Sequence, residues 1–129
     1  MPRWQTIGAE NMLTDGSMRE INLHDTKLLI ARVQGSYYAV QARCPHMGGE
    51  LARGKLDEFI VRCPRHGSLF DLRDGHVVDW ITKIPGIART LAQTAKKPQG
   101  LRTYPAKVED GQVWVQTDSA PGAEGSIRP

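Results

Sequence analysis

Both cysteines of this 129-residue chain, and two of its four histidines, lie in one 29-residue stretch, CPHMGGELARGKLDEFIVRCPRHGSLFDL, from Cys44 to Leu72. Aligned on their cysteines, CPHMGG (44–49) and CPRHGS (63–68) each give Cys, Pro, a His within three residues, and then glycine. The spacing is C-x-H, sixteen residues, C-x-x-H. Two loops that each offer one thiolate and one imidazole make a four-ligand metal site, with Cys44, His46, Cys63 and His66 as the donors. Proline restricts each loop, and glycine lets backbone N–H groups approach whatever lies between the loops. Such N–H groups matter most if the bound object carries anionic sulfides.

The remainder of the chain predicts a loop-rich β domain around those loops. Gly and Pro together supply 21 residues, 13 plus 8, and helical periodicity is scarce. Short apolar runs bounded by turn residues recur: KLLIARV (27–33), SYYAVQA (36–42), KLDEFIVR (55–62), LFDLRDGHVVD (69–79), RTYPAKV (102–108) and QVWVQT (112–117). Gln34-Gly35 signals a hairpin, and Asp74-Gly75 and Asp110-Gly111 predict tight turns with positive φ at both central residues. The reading is an antiparallel all-β domain of roughly eight to ten strands. IPGIARTLAQTAKKPQG (84–100) departs from it, with Ile84, Ile87, Leu91 and Ala95 at three- and four-residue steps. That spacing predicts one inserted short helix over about 85–97, opened by Pro85 and stopped by Pro98 and Gly100. Residues 1–118 are expected to form the domain, and SAPGAEGSIRP (119–129) a flexible tail.

Charge and targeting signals narrow the setting. Net charge is +3, but Trp80 to Val108 holds six basic residues and no acid, leaving 11 basic and 14 acidic residues, a net of −3, elsewhere. No nucleic-acid reading motif accompanies the basic run, so nucleic acid is not an expected partner. No apolar run approaches the roughly 18 residues of a membrane span. MPRWQTIGAENML has neither an apolar h-region nor a twin-arginine pair, and the expectation is a cytoplasmic protein without a membrane. In a reducing compartment a Cys/His cluster points to metal or redox chemistry before a disulfide.

A Cys₂His₂ set can hold one tetrahedral zinc, in a zinc-stabilised binding module, although C-x-H is tighter than the usual zinc arm. The context around the ligands separates the alternatives. CPHMGGELARGKL, then VRCPRHGSLFDLRDGHV, preceded by YYAVQARCPH and followed by LRTYPAKVEDGQVWV, closely resembles the Rieske-type 2Fe–2S ferredoxins over nearly the whole chain except 81–100 and the tail. The resemblance implies one 2Fe–2S cluster, with Cys44 and Cys63 on one iron and His46 and His66 on the other. Two ferric ions, two sulfides and two thiolates sum to zero charge, whereas a four-cysteine cluster carries two further negative charges and resists accepting an electron.

Departures place the chain within that family. The high-potential respiratory branch has an extra cysteine in each loop, joined as a disulfide; the matching positions here are Gly49 and Arg65. A tyrosine two residues past the serine of H-G-S is replaced by Phe70, while Ser68 remains as a donor toward a sulfide, with Gly49 and Gly67 also beside the cluster. Fewer donors stabilise the reduced cluster less, so a low potential within the Rieske range is expected, as in ferredoxins serving bacterial oxygenases. The implied fold is a β-sandwich or barrel base carrying a small cluster-binding subdomain of loops 44–54 and 63–68, with the histidine side facing solvent. The implied function is one-electron transfer from a flavin-dependent reductase to a terminal oxygenase or similar enzyme, by a carrier that is monomeric when free and turns over no substrate itself. The alternatives are the small Rieske subunit of a nitrite reductase and an electron-transfer subunit bound permanently to an oxygenase.

The other polar residues read as structural. A mononuclear iron oxygenase site needs two histidines and a carboxylate, and only His24 and His76 remain. Both are expected to be surface or structural residues, and Asp71 and Asp74 to serve turns rather than catalysis. Trp4, Trp80 and Trp114 are expected in the core. Lys83, Arg89, Lys96 and Lys97 divide between a solvated face of an edge-covering helix and a docking surface for an acidic partner.

Overall fold

The computed structural model describes residues 3–45, 48–65, 67–79 and 99–117. Among them, eleven strands and a single 3₁₀ turn (Leu51–Arg53) form three antiparallel sheets. Strands β1 (Trp4–Ala9), β11 (Gln112–Gln116) and β10 (Ala106–Glu109) make the first sheet, in the order β1-β11-β10. The second is β2 (Ser17–Leu23), β3 (Thr26–Val33), β4 (Ser36–Gln41) and β9 (Thr103–Tyr104), in that spatial order. The third runs β5 (Lys55–Asp57), β6 (Ile60–Arg62), β7 (Leu69–Asp71) and β8 (Val77–Asp79), a meander grown around the second cysteine loop.

The unbroken apolar run in β3 explains how the sheets are assembled. Leu28 and Ile30 point into one core with Tyr37, Ala39, Val113 and Val115. Leu29, Ala31 and Val33 point into another with Val40, Cys44, Leu51, Val61, Cys63, Phe70 and Leu72. Successive side chains of a strand project to opposite faces, so the central sheet is buried on both sides and its strand cannot alternate with polar residues. The same packing ties the cysteine loops to the base: each thiol is a member of the second core.

The turns follow from local chemistry. Gln34-Gly35 and Asp110-Gly111 both have positive φ at each central residue, 52° and 81°, and 53° and 75°, the twist that suits a two-residue hairpin. Asp74-Gly75 differs from the expectation, because only Gly75 (φ 80°) enters the left-handed region. Here the connection is five residues long (72–76), held by Asp71 N–H to the His76 carbonyl (3.0 Å) and Gly75 N–H to the Asp71 carbonyl (2.7 Å). Leu72 is thereby carried inward to the core.

Other expectations also change. Strands β1 and β2 lacked a clean apolar signal because they are half-buried along most of their length. KLDEFIVR contains two strands, not one, split by Glu58 at φ 53°. Trp4 and Trp114 are not core residues. They lie half-buried on the face of β1 and β11 opposite Val113 and Val115, with Lys107 Nζ 4.3 Å from the Trp4 ring centroid and Trp114 Nε1 donating to the Glu109 carbonyl at 3.1 Å. The predicted helix over 85–97, Trp80, and the basic side chains Lys83, Arg89, Lys96 and Lys97 lie outside the described residues.

Candidate metal centre

The two cysteine loops share one backbone design. In the first, Cys44 N–H donates to the Gly49 carbonyl (2.8 Å) and Gly48 N–H returns to the Cys44 carbonyl (2.8 Å). In the second, Cys63 N–H donates to the Ser68 carbonyl (2.9 Å) and Gly67 N–H returns to the Cys63 carbonyl (3.1 Å). Each closure needs a left-handed residue at the fifth position, and glycine supplies it in both, at φ 71° for Gly48 and 78° for Gly67. Gly67 N–H is engaged by this closure. His46 and His66 lie outside the described residues.

Both thiols are buried, with 2% of Cys44 and 3% of Cys63 exposed. Leu51, Val61, Phe70 and Leu72 surround them in the same core. The first loop lies directly over the second thiol: a Cβ placed on Gly49 would come within 2.7 Å of Cys63 Sγ. It would also come 3.0 and 3.1 Å from Cγ and Cδ of Arg65, so the two positions that carry the cysteine pair of the respiratory branch face each other here as Gly and Arg. Ser68 is 1% exposed, one of two buried polar or charged residues among those described. A buried hydroxyl in the loop that carries Cys63 suits a site whose contents are anionic.

The second buried polar residue is Asp71, on β7 just beyond the second loop. Its carboxylate accepts from Arg73 through Nε (3.0 Å), Nη2 (2.7 Å) and the backbone N–H (2.8 Å). That side-chain hydrogen bond to Arg73 holds the Asp71 carboxyl below its ordinary range, against the opposing effect of burial. The Arg73 guanidinium also lies 4.2 Å from the Phe59 ring centroid. Asp74 accepts the His76 backbone N–H at 3.0 Å, which lowers its carboxyl in turn, and meets His76 Nδ1 at 2.6 Å. These carboxylates serve the β7–β8 connection, as the sequence indicates, and His24 sits in the exposed β2–β3 turn at φ 57°.

Among the described residues no three metal-ligating side chains gather in one place; what they contribute is the pair of thiols. One group was not visible in the linear sequence: Arg53, Lys55 and Arg62 line a common cleft with Gly54 and Pro64, beside the second loop. Its signal was the hairpin register, which sets Lys55 opposite Arg62 across β5 and β6.

Two matched cysteine loops that bury their thiols in one core are the described part of a candidate metal centre in an all-β domain. The chain belongs to the Rieske [2Fe–2S] domain family, whose model matches residues 3–105. Its metal centre is accordingly a Rieske-type 2Fe–2S cluster, and the two buried thiols, with Gly49 lying side-chain-free over Cys63 Sγ, fit that group. Sulredoxin of Sulfurisphaera tokodaii is 32% identical over 117 residues, 89% of this chain and 97% of that protein. The 3-phenylpropionate/cinnamic acid dioxygenase ferredoxin subunit of Photorhabdus laumondii is 30% identical over 80% of this chain and 84% of its own length. The ferredoxin of carbazole 1,9a-dioxygenase from Nocardioides aromaticivorans has the same fold, with a TM-score of 0.71 at 19% identity over 89% of this chain and 96% of that one. The chain spans about 15% of the length of other curated relatives, apoptosis-inducing factor 3 of Homo sapiens and Mus musculus. No helix among the described residues is long and apolar enough to cross a membrane.

Proposed function

We propose that this chain is a one-electron carrier that takes an electron from a flavin-dependent reductase and passes it to a terminal oxygenase or related oxidoreductase. The proposed domain is 1–118, with 119–129 as a tail. The observation that carries this reading is the pair of loops with matching hydrogen bonds that bury Cys44 and Cys63 in one core, in a chain of which most matches the Rieske family. Cys44 and Cys63 are assigned to one iron and His46 and His66 to the other. When bound, the cluster supplies a single reversible electron-accepting centre.

The protein's own residues keep that centre in place and set its energy. Leu51, Phe70 and Leu72 exclude water from the thiols, which limits hydrolytic loss and lowers the local dielectric. The left-handed glycines hold both loops in one shape, so little backbone reorganisation accompanies a change of charge. Ser68 is assigned as a donor to the cluster edge; its hydrogen bond strengthens as negative charge builds there, favouring the reduced state. As a carrier the chain turns over no substrate of its own, and a reducing cytoplasm suits its two thiols.

The test is reconstitution of the purified chain followed by anaerobic titration. Iron and acid-labile sulfide should each reach two per chain, and dithionite should reduce the sample reversibly by one electron. A chain that binds one zinc, remains colourless and accepts no electron contradicts the proposal. A second reading has its own support: apoptosis-inducing factor 3 and the oxygenase component of 3-ketosteroid-9-alpha-monooxygenase of Rhodococcus rhodochrous match this chain over only 15% and 26% of their lengths. Such matches favour an electron-transfer unit within a larger oxidoreductase assembly, of which the small subunit of a nitrite reductase is one form.

A further inference from the structure

Arg53, Lys55 and Arg62 bound a cleft of about 480 Å³ with Gly54 and Pro64, and among the described residues no acid lines it. Lys55 stands directly opposite Arg62 in the β5–β6 ladder. Like charges at opposed positions repel, so this arrangement is unfavourable for the sheet taken alone. The acids nearby do not cancel it. Glu50 reaches Arg53 at 3.4 Å, but that pair is exposed, at 41% and 77% of its side chains. Asp57 shares the outer face of the hairpin, yet it lies opposite Ile60 and forms no ion pair with Lys55 or Arg62 among the described residues. The chain outside 80–108 has a net charge of −3, so three cations around one cleft are a local concentration against the trend.

The position of the cleft gives that charge a use. Arg62 and Pro64 flank Cys63 in sequence, and Gly54 packs so closely that a Cβ on it would run into the Arg62 carbonyl and come 3.2 Å from Pro64 Cδ. The cleft is therefore fixed to the second cysteine loop by backbone contact. Electron exchange between proteins requires close approach of their centres, and opposed charge raises the rate of productive encounter.

We propose that this cleft receives a carboxylate-rich surface of a protein electron partner and seats it against the second cysteine loop. The proposal rests on the carrier reading for its purpose, but its charge chemistry is separate from cluster assembly. It also differs from docking on Lys83, Arg89, Lys96 and Lys97, which belong to another segment of the chain.

The experiment uses the full chain, loaded with its cluster, and a poly-glutamate peptide as the probe, titrated by calorimetry at low and high ionic strength. Wild type should bind the peptide, more weakly as salt rises. Lys55→Glu with Arg62→Glu should weaken binding at low salt by about tenfold or more, the milder Lys55→Gln with Arg62→Gln should weaken it less, and Lys96→Glu with Lys97→Glu should leave it near wild type. The Gln pair serves as the readout if the Glu pair fails to fold. Peptide binding that survives both the Glu and the Gln substitutions overturns the proposal. So does inorganic pyrophosphate that displaces the peptide at equal concentration, because the cleft is then a small-anion site. The same samples are checked for visible bands and reversible one-electron reduction. Loss of those in wild type, with peptide binding intact, defeats the carrier reading and leaves the acidic-ligand site standing.

Discussion

The loops 44–49 and 63–68 have the same hydrogen-bonded skeleton but end differently, in Gly-Gly and in Gly-Ser. In the first loop a Cβ on the closing residue, Gly49, would come within 2.7 Å of the Cys63 sulfur, so a side chain there forces one of the two to shift. In the second the closing residue, Ser68, carries a hydroxyl that is almost wholly buried. The first loop thus provides room and the second provides polarity. Two copies of one turn have been given different work by a single side chain, and their shared backbone does not make them interchangeable.

Removing what the loops have in common should have the largest effect. Cys44→Ser or Cys63→Ser takes away a thiolate that nothing else in the chain can supply, so the visible bands and the iron should be lost from either variant. Equal loss from both is the expectation, read by absorbance and iron analysis; retention of bands in one would break the symmetry. Next comes the room in the first loop. Gly49→Ala sets a methyl against Cys63 Sγ, and the thiol can relieve the clash only by rotating away from its place. Overpacking of this kind costs about 1–3 kcal/mol. Iron content should fall while the far-ultraviolet circular dichroism stays native, and full iron content in this variant would mean that the space is not needed.

The polarity of the second loop should matter less for assembly and more for energy. Ser68→Ala should leave the cluster in place and lower its potential. If the lost hydrogen bond favours the reduced state by about 1 kcal/mol, the shift is roughly 40 mV for one electron. An unchanged or raised potential in protein-film voltammetry would mean that the hydroxyl points elsewhere. The smallest effect lies behind the second loop, at the Asp71–Arg73 pair. The Asp71 carboxyl is held below its unfolded value, so its stabilising contribution is complete above about pH 4 and disappears as pH falls through the folded value. Asp71→Asn should therefore cost about 1 kcal/mol at neutral pH, with the difference from wild type closing in acid. Denaturation at a series of pH values measures it, and a gap that persists below the folded value would assign the loss to packing instead.

How much of this was legible beforehand depended on whether the signal was local. The paired Cys-Pro loops, the Gln34-Gly35 hairpin and the buried run of β3 are written in adjacent residues, and each has its expected counterpart in the structure. Strands β1 and β2 were missed because half-buried edge positions accept polar residues and erase the alternation that marks a strand. Trp4 and Trp114 were misplaced because aromatic size suggests burial, whereas β11 spends its two valines on the core and turns its indole outward. Asp74-Gly75 has the composition of a two-residue turn, but Leu72 is drawn into the core, and that contact lengthens the connection. The Lys55–Arg62 cleft stayed hidden for a different reason: register across β5 and β6, not proximity along the chain, creates it.

The claim at the centre is that the loops together hold a mixed-ligand 2Fe–2S cluster through Cys44, His46, Cys63 and His66. The most direct test is pulsed electron–nuclear double resonance on the dithionite-reduced chain, labelled with ¹⁵N at histidine only. The account predicts couplings from two histidine nitrogens, both disappearing in His46→Cys with His66→Cys if that variant retains a cluster, and one disappearing in either single variant. A reduced cluster with no coupling to histidine nitrogen would contradict it.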